Sequence, residues 1–282
     1  MSHLIESRLH QSFITAKQKQ SRAVIPYLTA GFPSLAETVP LLHALADAGS
    51  TVIELGVPFS DPMADGAVIQ KAHEAALANG ANLKFVLECV REFRVNNQST
   101  PIVLMGYANP MMHMGLDLFA QTASQVGVDG VLTVDLPPEE ADECLAVFKK
   151  YQIAPVFLIS PTSTQQRINQ VCDIVKNSVP SFVYYVSLKG VTGAQAVQNT
   201  AQKTDQAEAL QRISEIRARL AKVNTPLVVG FGIKTPQDAS VFDGASDAVV
   251  IGSELIRLLD KTPAVQRKQC ASEFVQSFLS FL

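Results

Sequence analysis

One unit recurs along this chain of 282 residues, and it limits the fold more than any single motif does. A short apolar run is followed by a loop of small and turn-forming residues, and then by an amphipathic helical pattern. The apolar runs fall at residues 23–29, 51–54, 101–107, 130–135, 154–160, 181–187, 225–232 and 247–252. Three of the joints look like one piece reused: Ala48-Gly-Ser-Thr-Val-Ile, Gly127-Val-Asp-Gly-Val-Leu and Gly244-Ala-Ser-Asp-Ala-Val-Val-Ile. Strands that alternate with helices imply right-handed crossovers and a parallel sheet. Eight such units in a chain of this length predict a (β/α)₈ TIM barrel. An amphipathic pattern over residues 2–19 adds a helix before the first strand. No Pro/Gly/Ser-rich linker divides the chain, so residues 1–282 read as one barrel domain. A doubly wound open sheet is the competing architecture. It usually places G-x-G-x-x-G after its first strand, and Thr29-Ala-Gly31 is not that.

Helix boundaries carry local signals. Ser34-x-x-Glu37 and Ser163-x-x-Gln166 have the spacing of a cap, and Thr235-Pro236 puts proline at a first helical position. Gly49 supplies a stop after Asp47. Residues 108–110 read as a loop, and 194–206 as a long polar stretch before a helix.

Composition excludes several classes. With a net charge of -3 and no basic run, general nucleic-acid binding is not expected. No apolar run approaches membrane-spanning length, and the N-terminus has no signal core. Cys89, Cys144, Cys172 and Cys270 are scattered, which argues against a disulfide frame or a metal site and for the reducing cytoplasm. The five histidines are dispersed as well, and His43 and His73 fall in helical patterns.

The chemistry concentrates after the second strand, in Glu54-Leu-Gly-Val-Pro-Phe-Ser-Asp-Pro-Met-Ala-Asp-Gly66. Glu54 is out of place in an apolar strand and is expected at its end. The loop beyond it brings Asp61 and Asp65 to the same rim. Carboxylates in different surroundings can divide acid and base roles. The alternative is that Asp61 and Asp65 only shape turns and cap a helix. Barrel active sites lie at the C-terminal strand ends. That rule gathers Tyr27, Glu54, Asp65, Tyr107, Asn109, Asp135, Tyr184, Gly193, Gly232, Gly252 and Ser253 on one rim. Gly232, and Gly252 with Ser253 at a helix start, occupy the positions of a barrel phosphate site, with the Val191-Thr-Gly193 turn beside them. No lysine is placed for a Schiff base. Carboxylate acid–base chemistry on a phosphorylated small molecule remains.

The motif from Glu54 to Gly66 resembles the signature of the tryptophan synthase alpha subunit family. So do Pro26-Tyr-Leu-Thr-Ala-Gly31, Met105-Gly-Tyr-Ala-Asn-Pro110, Gly190-Val-Thr-Gly193, Gly230-Phe-Gly-Ile233 and Val250-Ile-Gly-Ser253, in the right order along nearly the whole chain. The resemblance implies cleavage of indole-3-glycerol phosphate to indole and glyceraldehyde 3-phosphate. It implies a beta-subunit partner in an α₂β₂ heterotetramer, with pyridoxal phosphate on the beta subunit and no cofactor on this chain. It gives Glu54 the proton transfers, Asp65 the indole N–H, and Tyr184 a place beside the reacting centre. Tyr27, Met105, Leu132 and Phe231 would wall the indole pocket, although each also suits ordinary barrel core. Tyr107 and Thr192 join the substrate-binding set, and Gly193, Gly232, Gly252 and Ser253 hold the phosphate. Asp61, Pro62 and Asn109 would face the beta subunit. The stretch 194–205 departs from the family pattern, so no lid residue beyond Thr192 is carried over. Alternatives are a stand-alone lyase that releases free indole, another sugar-phosphate barrel enzyme, and a non-catalytic activator of a beta subunit.

Overall fold

A computed structural model describes residues 7–19, 22–186, 200–230 and 232–280. Eight parallel strands form a closed barrel in chain order. They are β1 (Ala23–Thr29), β2 (Ile53–Gly56), β3 (Ile102–Gly106) and β4 (Gly130–Thr133), then β5 (Ala154–Ile159), β6 (Val183–Val186), β7 (Leu227–Gly230) and β8 (Ala248–Ile251). β8 closes on β1 with Ala23 opposite Ala248. The strands are apolar at nearly every position because both their faces are covered, one by the barrel interior and one by helices.

Around the barrel run α1 (Arg8–Gln18), α2 (Thr38–Asp47), α3 (Ala67–Ala78) and α4 (Leu83–Asn96). Next come α5 (Ala108–Met114), α6 (Leu116–Val126), α7 (Asp142–Lys150) and α8 (Gln165–Asn177). The last four are α9 (Thr200–Ala221), α10 (Pro236–Ser240), α11 (Ser253–Lys261) and α12 (Arg267–Leu279). Two apolar layers result. One lies between helices and strands and contains Leu28, Leu55, Leu104, Phe119 and Phe242. The other fills the barrel and contains Ile25, Val103, Leu132, Val156, Tyr184, Val228 and Val250. α1 is the extra N-terminal helix. Its Leu9 joins the interior layer, and Phe13 meets Phe182 at 5.8 Å between ring centroids, so α1 closes the floor of the barrel. Arg8 on α1 and Arg94 on α4 both bind Asp129, each at 2.7 Å, and this ties the floor to the wall. None of the described helices is long and apolar enough to cross a membrane.

Local signals are followed where nothing stronger competes. Thr235 makes a full capping box with Asp238. Gly49 takes φ of +101° just beyond α2, a conformation that suits glycine. Other expectations shift. Ser34 opens a 3₁₀ turn, Leu35–Glu37, without capping its backbone. Its hydroxyl binds Glu37 Oε2 at 2.7 Å, and that carboxylate is drawn to Arg267 Nη1 at 2.8 Å. The cap of α8 is Thr164 rather than Ser163, and it accepts from Arg167 N–H. Residues 108–110 are not a loop but the first turn of α5, where proline loses no intrahelical hydrogen bond. The polar stretch is helical from Thr200 onward. Alanine, glutamine, lysine and glutamate favour a helix by propensity even without an apolar stripe.

Candidate active site

Glu54 lies inside β2, two residues before its end, and not at the end itself. In register it stands between Tyr27 of β1 and Val103 of β3. Strand alternation sends Ile53 and Leu55 to the helix layer, so the Glu54 side chain points into the barrel. It is wholly buried, and neither carboxylate oxygen has a hydrogen-bond partner among the described residues. Loss of water without compensating donors penalises the anion and pushes the carboxyl up to about 8. At neutral pH Glu54 therefore holds its proton.

Asp65 is treated differently. It sits on the loop between β2 and α3, and its Oδ2 accepts the Tyr107 hydroxyl at 2.8 Å. Burial raises its pKa, while the Tyr107 hydrogen bond favours the anion and opposes that rise. The Tyr107 oxygen in turn accepts from Ala64 N–H at 3.1 Å, and its ring stacks on Phe59 at 5.0 Å. Gln70 donates to the carbonyls of Asp65 and Pro62 at 2.9 and 3.3 Å. The loop that carries Asp65 is thus fastened to β3 and α3.

Two phenols face these carboxylates. Tyr27 and Tyr184 are raised above the ordinary tyrosine range by burial, and further by the charges of both Asp65 and Glu54. Each crosses a glycine on a neighbouring strand. A Cβ at Gly56 would lie 2.1 Å from Tyr27 Oη, and one at Gly230 would lie 2.0 Å from Tyr184 Oη. Only glycine admits the hydroxyls there.

Leu132 is fully buried and Met105 partly so; the two are register partners on β4 and β3 and belong with Tyr184 to the interior layer. Gly252 caps α11, which begins at Ser253. The first hydrogen bond of that helix runs from Ile256 N–H to Gly252 C=O, which leaves earlier N–H groups outside the helical ladder. Gly232 has φ of +81° just after β7. A Cβ at Gly252 would lie 3.2 Å from Tyr27 Cβ, so the start of α11 packs closely against Tyr27. Thr192, Gly193 and Phe231 lie outside the described residues.

At the outer surface Asp61 and Asn109 are exposed, whereas Pro62 is buried. The exposed tip of the loop is completed by Met63, at 84% exposure, which the sequence did not single out. Asp135, just past β4, has its Oδ1 accepting from Ala108 N–H at 2.8 Å, at the first residue of α5 beyond the adjacent strand β3. His73, placed in a helical pattern only, is 2% exposed and stands against Tyr27, Phe59 and Asp65.

The profile of the tryptophan synthase alpha chain family matches residues 13–279. The tryptophan synthase alpha chain of Ralstonia nicotianae is 46% identical over 271 residues, covering 95% of this chain and 96% of its own. The crystal structure of the alpha subunit from Legionella pneumophila superposes with a TM-score of 0.82 at 37% identity, covering 98% of both chains. A chain from a structure of the tryptophan synthase α₂β₂ complex of the hyperthermophile Pyrococcus furiosus, described as the basis of its mutual activation, superposes with a TM-score of 0.75. It is 32% identical, and the match covers 92% of this chain and 98% of that one.

Proposed function

This chain belongs to the tryptophan synthase alpha chain family, and from that premise we infer that it cleaves indole-3-glycerol phosphate to indole and glyceraldehyde 3-phosphate, paired with a beta subunit. The observation that carries the assignment of roles is the contrast between two carboxylates, Glu54 fully buried and Asp65 partly so. Glu54 has no hydrogen-bond partner among the described residues and keeps its proton, whereas Asp65 is held by a phenol that favours its anion.

That contrast suits the reaction. An indole carbanion is a poor leaving group, so C3 must gain a proton before its bond to the glycerol carbon breaks. Protonated Glu54 supplies that proton, and the ring becomes an indoleninium-like cation. The Glu54 carboxylate then takes the proton of the adjacent hydroxyl. The O–H electrons become the aldehyde carbonyl, and the C–C electrons return to the ring as indole leaves. Asp65 accepts the ring N–H and offsets the positive charge while it exists. Tyr184 packs beside the reacting centre, and Tyr27, Met105 and Leu132 wall the ring. Tyr107 serves through its grip on Asp65. Gly232, Gly252 and Ser253 receive the phosphate, with Phe231, Thr192 and Gly193 assigned by family resemblance. Asp61 and Asn109 offer the beta subunit an exposed polar edge, with Pro62 supporting it from beneath. The cysteines described are all free thiols, which suits a cytoplasmic enzyme.

The test is indole release from indole-3-glycerol phosphate, measured on the chain alone and with its beta subunit. Glu54→Gln lowers turnover by about two to four orders of magnitude in a folded protein. Near-normal turnover removes Glu54 from the mechanism, and a wild type that ignores the beta subunit favours a stand-alone lyase.

A further inference from the structure

His73 lies on the buried face of α3, and its two ring nitrogens are differently engaged. Nδ1 accepts from Phe59 N–H at 3.0 Å. A backbone amide can only donate, so Nδ1 is unprotonated and the proton of the neutral ring sits on Nε2. That nitrogen is 3.3 Å from Tyr27 Oη and 3.8 Å from Asp65 Oδ2. Tyr27 Oη also accepts from Thr29 Oγ1 at 3.1 Å. The phenol oxygen therefore takes two donors, and its own proton is engaged by neither. Burial keeps the imidazole neutral, with its pKa down at about 4. The titratable groups around it are Tyr27 from β1, Asp65 from the loop, and Tyr107 from the end of β3, which binds the same Asp65 oxygen.

The loop that carries Asp65 has two halves. Tyr107 and Gln70 fasten its second half, from Pro62 to Asp65. Between Val57 and Asp61 the Phe59–His73 bond is the one side-chain hydrogen bond to the backbone among the described residues. A histidine whose only task was to fill the core would need neither this directed pair of bonds nor the approach to Asp65.

We propose that His73 is a positioning residue for the cleavage: it pins the first half of the Asp65 loop to α3 and orients the Tyr27 hydroxyl, so that the loop is held ready before a partner binds. This rests on the assignment of Asp65 to the reaction.

The experiment compares His73→Leu and His73→Gln with wild type, each alone and with the beta subunit. Leucine keeps the bulk and removes both bonds, while glutamine keeps one acceptor and one donor. His73→Leu loses about 10-fold in kcat as the isolated chain, with a smaller change in KM, because the loop spends less time in register. The beta subunit restores most of that loss, because it holds the same loop from outside, and His73→Gln restores most of it without the partner. An equal loss with and without the beta subunit overturns the proposal, as does no loss in either state. Should His73→Leu not fold, the ring itself decides through ¹⁵N resonances of the wild type. Protonated Nε2 with bare Nδ1 is expected, and a protonated Nδ1 overturns the proposal. Asp65→Asn run in parallel separates the two readings: full activity there defeats the site assignment without touching the His73 bonds.

Discussion

Burying Glu54 with no hydrogen-bond partner among the described residues has a thermodynamic consequence that can be measured apart from catalysis. Its carboxyl titrates near 4.5 when free and is pushed up to about 8 in the barrel. Between those values the unfolded chain has lost the proton and the folded chain still holds it. The unfolded state thus binds fewer protons, and stability falls as pH rises, by about 1.4 kcal/mol per pH unit. The stabilising share of protonated Glu54 is fully present below the unfolded value and is gone above the folded one. Glutamine has nearly the same shape and does not titrate. Between about pH 5.5 and about pH 7.5 the stability of Glu54→Gln relative to wild type should therefore improve by about 3 kcal/mol, two units at the slope above. The chain has no tryptophan, so urea unfolding is best followed by far-ultraviolet circular dichroism. A gap between the two proteins that is the same at both pH values would refute the reasoning, because it would mean that Glu54 ionises in the folded state as it does in water. A gap that grows while activity is lost would show that the catalytic proton is stored at the expense of stability.

Other outcomes follow from the same geometry. Asp65→Asn keeps the Tyr107 contact within reach but cannot offset a cation, and its turnover falls by about two orders of magnitude or more in the indole-release assay. In wild type, turnover falls as pH rises through about 8, where Glu54 loses its proton, and falls again on the acid side as Asp65 gains one; a flat profile there contradicts both assignments. Ser253→Ala weakens glycerol 3-phosphate binding by about 10-fold in calorimetry, the effect of one hydrogen bond to a charged group, and unchanged affinity places the phosphate elsewhere. Gly230→Ala drives a methyl into the Tyr184 hydroxyl, with a loss of about 1–3 kcal/mol in stability and a drop in kcat; a neutral effect on both would mean Tyr184 has room to move. Asp61→Ala reduces the rate gained on adding the beta subunit more than it reduces the rate of the chain alone.

The barrel was legible because its signal is repeated. Eight apolar runs, each followed by turn residues and a helical stripe, leave few topologies open, and an error of two residues at a strand end does not alter the count. What the pattern misplaced is what periodicity does not record. α5 has a proline in its first turn and takes its cap from Asp135, a residue on another strand end. The start of α9 is set by propensity, with no stripe to mark it. Ser34 lost its capping role to an ion pair between Glu37 and Arg267, which lie 230 positions apart in the chain.

The site divides along the same line. Glu54 stood out because a carboxylate in an apolar strand has a cost that something must justify, and Asp65 because it ends a motif dense in turn formers. Gly56 and Gly230 were readable in principle: glycine within a barrel strand announces that something passes close by, and Tyr27 and Tyr184 are what pass. His73 had no such mark. In the sequence it is a polar residue between Ala72 and Glu74 on a helix, and its meaning depends on where Phe59 and Tyr27 arrive. Those residues come from a loop and a strand that precede it by 14 and 46 positions. A buried histidine becomes informative only when each of its nitrogens has a named neighbour. Here the donor to one nitrogen fixes the proton on the other, and that proton is directed at the hydroxyl of Tyr27 beside Asp65.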